Sequence, residues 1–351
     1  MDYADRPLAK LGFLTIGTFD EEDPFGGHDT TLRIIELGER LGFDSVWLRD
    51  RHLQHGISSP VAVLAAASQR TTRIELGTAV IPLGLENPFR LAEDLATVDV
   101  LSHGRLNPGF SVGRPTHFDD IKQALYPNSW ESEDFGYDRV IRLLDNLRGR
   151  PVSTFEGTEG IELYSSRIQP HSPGLIDRVW YGAAGFASAV WAGEQGLNLL
   201  SSSVVRAEND DDFARIQRAQ IEEFRRHHPL GDAARASQGL VVIPTDSATT
   251  QQVARYEAYA AARLPRTSSP QGPQRMLFAP DLVGTSTQIA DALHAHAGYQ
   301  AVDEVVFALP FSFGPDDYTQ ILTDIAGRLG PLLGWSPSGD TPHPGAGASR
   351  R

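Results

Sequence analysis

The chain has 351 residues, 40% of them hydrophobic, and a formal net charge of −14. Acidic and basic residues are interleaved, which argues against nucleic acid or an anionic membrane surface as partner. The absence of cysteine excludes disulfides, thiolate metal sites and cysteine nucleophiles.

Leu11–Ile16 reads as a first strand and Asp29–Leu41 as an amphipathic helix closed by Gly42. Phe43–Leu48 is a second strand, and its end delivers Arg49-Asp50-Arg51-His52 to a loop. After an alanine-rich helix, Pro60–Arg70, comes the stretch around which the chain is organised. Ile74–Ile81 is a buried strand, and Asn87-Pro88 opens a helix with a capping residue and a proline at its first position. Leu91, Leu95, Val98 and Leu101 recur on one face of that helix. Ser102–Arg105 breaks it, and Leu106–Val112 is the next strand, so strand, helix and strand form a parallel βαβ unit.

Arg114–Phe135 has little periodicity and is too long for a routine connector, which marks it as a lid or binding loop. Tyr137–Leu147 is a helix. Gly149–Pro173 is a β-type excursion with strands expected at Ile161–Tyr164 and Arg167–Ile168. Strand five is Arg178–Tyr181, strand six Leu197–Ser201, strand seven Leu240–Pro244 and strand eight Val302–Leu309. Helices are expected over Phe186–Glu194, Asp210–His227, Ser247–Ala262, Gly284–Ala297 and Tyr318–Leu329, and a mobile loop over Leu264–Pro280. Eight strand signals alternating with helices predict an α/β fold, a (β/α)8 TIM barrel with insertions in its βα loops. One domain spans residues 1–335, and the Pro/Gly/Ser-rich residues 336–351 form a disordered tail. No apolar run is long enough to span a membrane and no secretory leader is visible, so a cytoplasmic location is expected.

A barrel places its active site just after the strands. Gly182-Ala183-Ala184-Gly185-Phe186-Ala187-Ser188 joins a strand to a helix; small residues let the backbone approach a phosphate at the helix start, or the segment is a plain tight turn. His52 after strand two is suited to proton transfer near neutral pH, or it is a loop histidine held by Asp50. Ser111 ends strand four, and Arg114 beside it is a local cation or half of a surface salt bridge. Ser201-Ser202-Ser203 is a polar rim or a loop of small residues. His227, His228, His294 and His296 lack acidic partners at metal-binding spacing, so no metal is expected. Lysine is confined to Lys10 and Lys122, away from strand ends, which disfavours Schiff-base chemistry.

The blocks LGTAVIPL, NPFRLAED and DVLSHGRLNPGFSVG, in that order and spacing, resemble the luciferase-like monooxygenase family, flavin- or deazaflavin-dependent TIM barrels. The resemblance implies a monooxygenase using reduced FMN and O2 to oxygenate a small organic substrate through a C4a-peroxyflavin. It implies a cis peptide at Ala79–Val80 under the flavin ring, and phosphate binding at the turn whose matching positions are Ala184, Gly185 and Ser188, with Gly182 and Phe186 as further cofactor-binding residues. Ser111 matches a position beside the reactive flavin atom, Arg114 supplies a cofactor-binding charge, and Ser202 lines the polar edge. Asp50 and His52 match the family's acid and last histidine as the catalytic pair, while Arg51 replaces the histidine most often given a base role. No second nucleotide motif is visible, so a separate flavin reductase is expected, and a homodimer with it. F420-dependent oxidoreduction on the same barrel, or a non-catalytic flavin-binding paralogue, are the alternatives.

Overall fold

The structure is a computed structural model that describes residues 7–337. Its centre is a curled parallel sheet of ten strands, flanked by helices. The strands of this sheet and of three side pairs are β1 Lys10–Thr15, β2 Ser45–Leu48, β3 Glu75–Thr78, β4 Ile81–Pro82, β5 Leu106–Asn107, β6 Gly109–Ser111, β7 Gly157–Glu159 and β8 Glu162–Tyr164. They continue as β9 Trp180–Ala183, β10 Asn198–Ser201, β11 Val204–Arg206, β12 Ala236–Gln238, β13 Val242–Pro244, β14 Met276–Phe278, β15 Leu282–Gly284 and β16 Glu304–Ala308. The large sheet runs β4-β6-β9-β10-β12-β16-β1-β2-β3-β5. The helices are α1 Pro24–Arg40, α2 Pro60–Ser68, α3 Pro88–Leu101, α4 Phe118–Leu125, α5 Tyr137–Leu147, α6 Phe186–Glu194, α7 Phe213–His227, α8 Thr250–Arg263, α9 Ser286–His294 and α10 Pro315–Asp324.

The sheet has ten strands where the sequence predicts eight because two expected strands are each interrupted. Ile74–Ile81 breaks at Ala79–Val80, whose peptide bond is cis, as the resemblance implies. Leu106–Val112 breaks at Pro108, which has no N–H to give to a ladder. Strand seven is a correction. The strand in the large sheet is β12, while Val242–Pro244 leaves that sheet and pairs with β15. Ala-Ser-Gln is too short and polar to carry a strand signal, whereas the Leu240–Pro244 run is apolar enough to mimic one.

Other expectations shift at their edges. α1 starts at Pro24, because Asp23 caps it by accepting from Gly26 N at 2.9 Å. α3 is capped by Asn87, whose Oδ1 accepts from Phe89 N and Arg90 N. Leu91, Leu95 and Val98 are buried on it, but Leu101 is 43% exposed. The buried stripe ends instead on Asp99, which takes both oxygens to Arg178 Nη2 at 2.7–2.8 Å. Arg114–Phe135 contains α4, and Leu264–Pro280 contains β14, which pairs with β11. β8 falls on the strand expected at Ile161–Tyr164, but its partner is β7, which the sequence does not predict, and Arg167–Ile168 is not a strand. The domain end expected at residue 335 falls on buried Trp335, whose Nε1 donates to Asp44 Oδ2 at 2.8 Å. The tail expected over 336–351 lies, from residue 338 on, outside the described residues.

Inside the curl, Trp47 and Trp180 meet edge to face with centroids 5.3 Å apart, packed with Leu200 and Val306. Toward the amino ends of the strands lies a charged layer. Arg235 pairs with Glu304 at 2.9 Å and Glu75 at 3.5 Å, Lys10 pairs with Glu75 at 2.5 Å, and Arg235 stacks 4.7 Å from the Trp180 ring. Burial pushes the Glu304 carboxyl up, whereas Lys10 and Arg235 together hold Glu75 down against its own burial. These side chains fill the sheet interior below the two tryptophans, and open space lies above them.

Candidate active site

That space is a cavity of ≈ 440 Å³ at the carboxyl ends of the strands, within the usual size of a small-molecule or cofactor site. Leu14, Val80, Leu200 and Val306 supply apolar wall. Asp50, His52, Ala79, Val80, Ser111, Arg114, Gly182, Ala184 and Ser202, nine of the residues singled out from the sequence, line it together.

β2 is buried along its whole length and delivers the Asp50–His52 corner. Arg49 N donates to Thr15 O at 3.1 Å and Arg51 N to Ile57 O at 2.9 Å, which pins the corner on both sides. Asp50 is 4% exposed, and its Oδ1 lies 3.3 Å from His52 Nε2. The contact is at ion-pair distance but off hydrogen-bond alignment, so neither carboxylate oxygen has a formed hydrogen bond. The Asp50 partner chiefly, with Glu86 farther off, holds the His52 imidazolium above the ordinary histidine range against its burial. Glu86 is itself pushed up, by burial first and by Asp50 second. Sequence reading missed Glu86, because a polar residue just before Asn87-Pro88 reads as the approach to a helix cap.

On the opposite wall, a Cβ placed on Gly182 would stand 2.9 Å from Val80 Cγ1, so the absence of a side chain there keeps the wall flat. Gly113 turns the chain with φ +113°, and its N donates to Phe135 O at 3.0 Å. Arg114 then lies 5.5 Å from the Phe118 ring and 5.9 Å from the Phe135 ring, with no ion pair among the described residues. Ser201 and Ser237 line the cavity, and their buried hydroxyls lack partners, while Ser202 Oγ is engaged with Val204 O and N at 3.2 Å. Ser237 was not legible in the sequence, because its strand was not.

Gly185, Phe186 and Ser188 are set back from the cavity wall, and the donors Gly185 N, Phe186 N and Ser188 Oγ are occupied. Ser188 Oγ donates to Gly185 O at 2.8 Å and accepts from Gly185 N at 3.3 Å. Phe186 N donates to Glu208 Oε2 at 3.0 Å, and Arg206 stands 3.7 Å from Glu208. A carboxylate thus rests on the positive end of α6, where such a charge is stabilised. Among the described residues no group of His, Asp and Glu is arranged to hold a metal, and no helix is long and apolar enough to cross a membrane.

A parallel α/β sheet with a mostly apolar cavity at its carboxyl ends, edged by a few unsatisfied polar groups, defines a binder of a small organic molecule or cofactor. A family model described as luciferase-like monooxygenase matches residues 10–303. The chain belongs to that family. It is 31% identical over 251 residues to 4-hydroxyprotoasukamycin monooxygenase of Streptomyces nodosus subsp. asukaensis, covering 69% of this chain and 63% of that protein. It is 38% identical over 129 residues to limonene 1,2-monooxygenase of Rhodococcus erythropolis, 36% of this chain and 33% of that one. It is 29% identical over 201 residues to F420-dependent glucose-6-phosphate dehydrogenase of Amycolatopsis mediterranei, 54% of this chain and 58% of that one. Less than two thirds of these relatives' lengths is therefore spanned. A monooxygenase from Streptomyces bottropensis shares the fold at a TM-score of 0.68 and 20% identity, over 92% of this chain and 99% of its own. The oxygenating constituent of 3,6-diketocamphane monooxygenase from Pseudomonas putida, in complex with FMN, does so at 0.62 and 13%, over 93% and 98%.

Proposed function

We propose that the chain is a flavin-dependent monooxygenase on a (β/α)8 barrel, taking reduced FMN from a separate reductase and O2 to oxygenate a small organic substrate. The barrel reading rests on pairing order. β3 with β4 and β5 with β6 count as two broken strands that pair with each other twice, so the ten strands reduce to eight in a closed ring. The observation that carries the function is the composition of the cavity: flat apolar walls at Val80 and Gly182, and unsatisfied Asp50, Ser201 and Ser237 around them. A planar heteroaromatic ring with a polar edge fits such a niche.

Bound reduced flavin supplies the electrons for oxygen activation. The chain's own residues do the rest. Val80, Gly182, Leu200 and Val306 exclude water and hold the ring plane. Ser111, Ser201 and Ser237 would hydrogen-bond polar ring or substrate atoms. His52, whose protonated form Asp50 favours, would deliver a proton through the ring nitrogen not turned to Asp50. Arg114 and the amide end of α6, reached past Ala184, would take the phosphate. A homodimer and a cytoplasmic location go with this reading.

The phosphate end meets Glu208, whose carboxylate has to swing toward Arg206 before a phosphate reaches Phe186 N. Replacing Glu208 by glutamine is expected to tighten FMN about tenfold while leaving riboflavin, which lacks the phosphate, unchanged. Paired fluorescence titrations of the two ligands check this; an equal effect on both removes the phosphate from this helix.

Likeness to an F420-dependent dehydrogenase favours a second reading, F420-dependent oxidoreduction at the same cavity. Titrating FMN, FAD, riboflavin and F420 against the protein by fluorescence quenching decides between them. Micromolar binding of FMN with weak F420 supports the first, the reverse order supports the second, and binding of none overturns both.

A further inference from the structure

The ionisable groups lining the cavity are Arg49, Arg51 and Arg114, His52 and His117, and a single carboxylate, Asp50. In a chain of net charge −14, that excess of cation is opposite to the surface as a whole. Asp50 is committed to His52 at 3.3 Å. His117 faces Asp120 outside the cavity at 3.6 Å. Arg114 is held by the aromatic rings of the α4 excursion. Two guanidinium groups remain on the β2 corner. Among the described residues the Arg49 guanidinium meets only the Phe311 ring, 5.2 Å away. Arg51 is partly buried, and its side chain enters no hydrogen bond, ion pair or ring contact among the described residues. By contrast Arg139, Arg178, Arg235 and Arg263 each hold a carboxylate, and buried Arg105 donates to the carbonyls of Ser68, Thr71 and Ile74.

Removing a guanidinium from water without giving it an anion costs free energy that a bound anion returns. Burial alone already lowers the Arg51 pKa, with no carboxylate opposing it. The corner that carries the two groups is fixed by backbone hydrogen bonds at Arg49 N and Arg51 N, so they need not be gathered when a ligand arrives. Planar guanidinium groups match the two oxygens of a carboxylate or sulfonate.

We infer that Arg49 and Arg51 form an anion subsite at the cavity, and that the organic substrate carries a carboxylate or similar oxyanion held there. The inference rests on the monooxygenase reading for the word substrate. The anion could instead be the cofactor's phosphate tail, and the test separates the two. Binding of benzoate, hexanoate and octanoate is measured by calorimetry against benzyl alcohol, hexanol and octanol, on the cofactor-free and FMN-saturated protein. At least one acid is expected to bind about tenfold or more tighter than its alcohol. That preference is expected to vanish in Arg51→Met, weaken in Arg51→Lys and Arg49→Met, and persist in the cofactor-free arm of Arg114→Met. Circular dichroism verifies that each variant is folded. If no acid is preferred by the wild type, or if Arg51→Met keeps the preference, the subsite is overturned. If Arg51→Met weakens FMN but not riboflavin, the anion belongs to the cofactor and the substrate assignment falls. Failure of FMN to bind overturns the monooxygenase reading alone, since the cofactor-free arm still reports the anion.

Discussion

His52 in an Asp50→Asn variant is expected to titrate at lower pH than in the wild type. The Asp50 carboxylate is the main reason that the imidazolium is favoured; asparagine keeps the shape and removes the charge. The folded pKa is raised, so the ion pair's contribution to stability is complete below the unfolded value near 6.5. It is lost as pH rises through the folded value. In the variant that pH-dependent share is absent, and unfolding free energy flattens across that window. NMR titration of the His52 ring carbons, with urea denaturation at a series of pH values, measures both. If His52 serves as the proton donor, His52→Ala lowers kcat by about a hundredfold to ten-thousandfold with any substrate that turns over. Asp50→Asn then moves the alkaline limb of the pH–rate profile downward. An unmoved His52 titration in Asp50→Asn refutes the pairing, and an undiminished kcat in His52→Ala refutes the role.

The second large effect is expected at Gly182. A Cβ there already approaches Val80 Cγ1 at 2.9 Å, and a valine projects further across the wall shared with Ala79–Val80. Gly182→Val is expected to weaken flavin binding at least about a hundredfold, a loss near 2.7 kcal/mol. Because the side chain would enter cavity space rather than the packed interior, far-ultraviolet circular dichroism should match the wild type. Flavin affinity retained within a factor of about three would mean that the ring does not lie against this wall.

Much of this site is legible in the amino-acid order, and the reason is local. Asp50, His52, Ser111 and Gly182 directly follow or end strands that announce themselves by buried, β-branched runs, so strand order alone carries them to one end of the sheet. Asn87-Pro88 fixes α3 because both residues act through their own backbone geometry. What stays hidden depends on partners distant in sequence. β12 is three residues held by its neighbours, so Ser237 goes unseen with it. Glu208 follows a short strand and reaches α6 only after folding, which is why the helix start reads as open when a carboxylate stands on it. The unpaired state of Arg51 is equally unreadable, since the lack of a partner is a property of everything packed nearby.

Gly113 N and Phe135 O meet at 3.0 Å, so the excursion carrying α4 and Arg114 departs and returns at one point. Along its perimeter it is tied to the fold by side chains, Tyr126 Oη donating to Gly84 O at 2.9 Å and Glu133 pairing with Arg139 at 2.6 Å. Doubling such a tied loop costs only about 0.6 kcal/mol in closure entropy, and no sheet pairing crosses the knot. Evolution, or an engineer, can therefore exchange the stretch beyond Arg114 for one of different length and lining, provided the ties at Gly84 and Arg139 are kept, retuning which molecules enter without disturbing the residues that hold the ring.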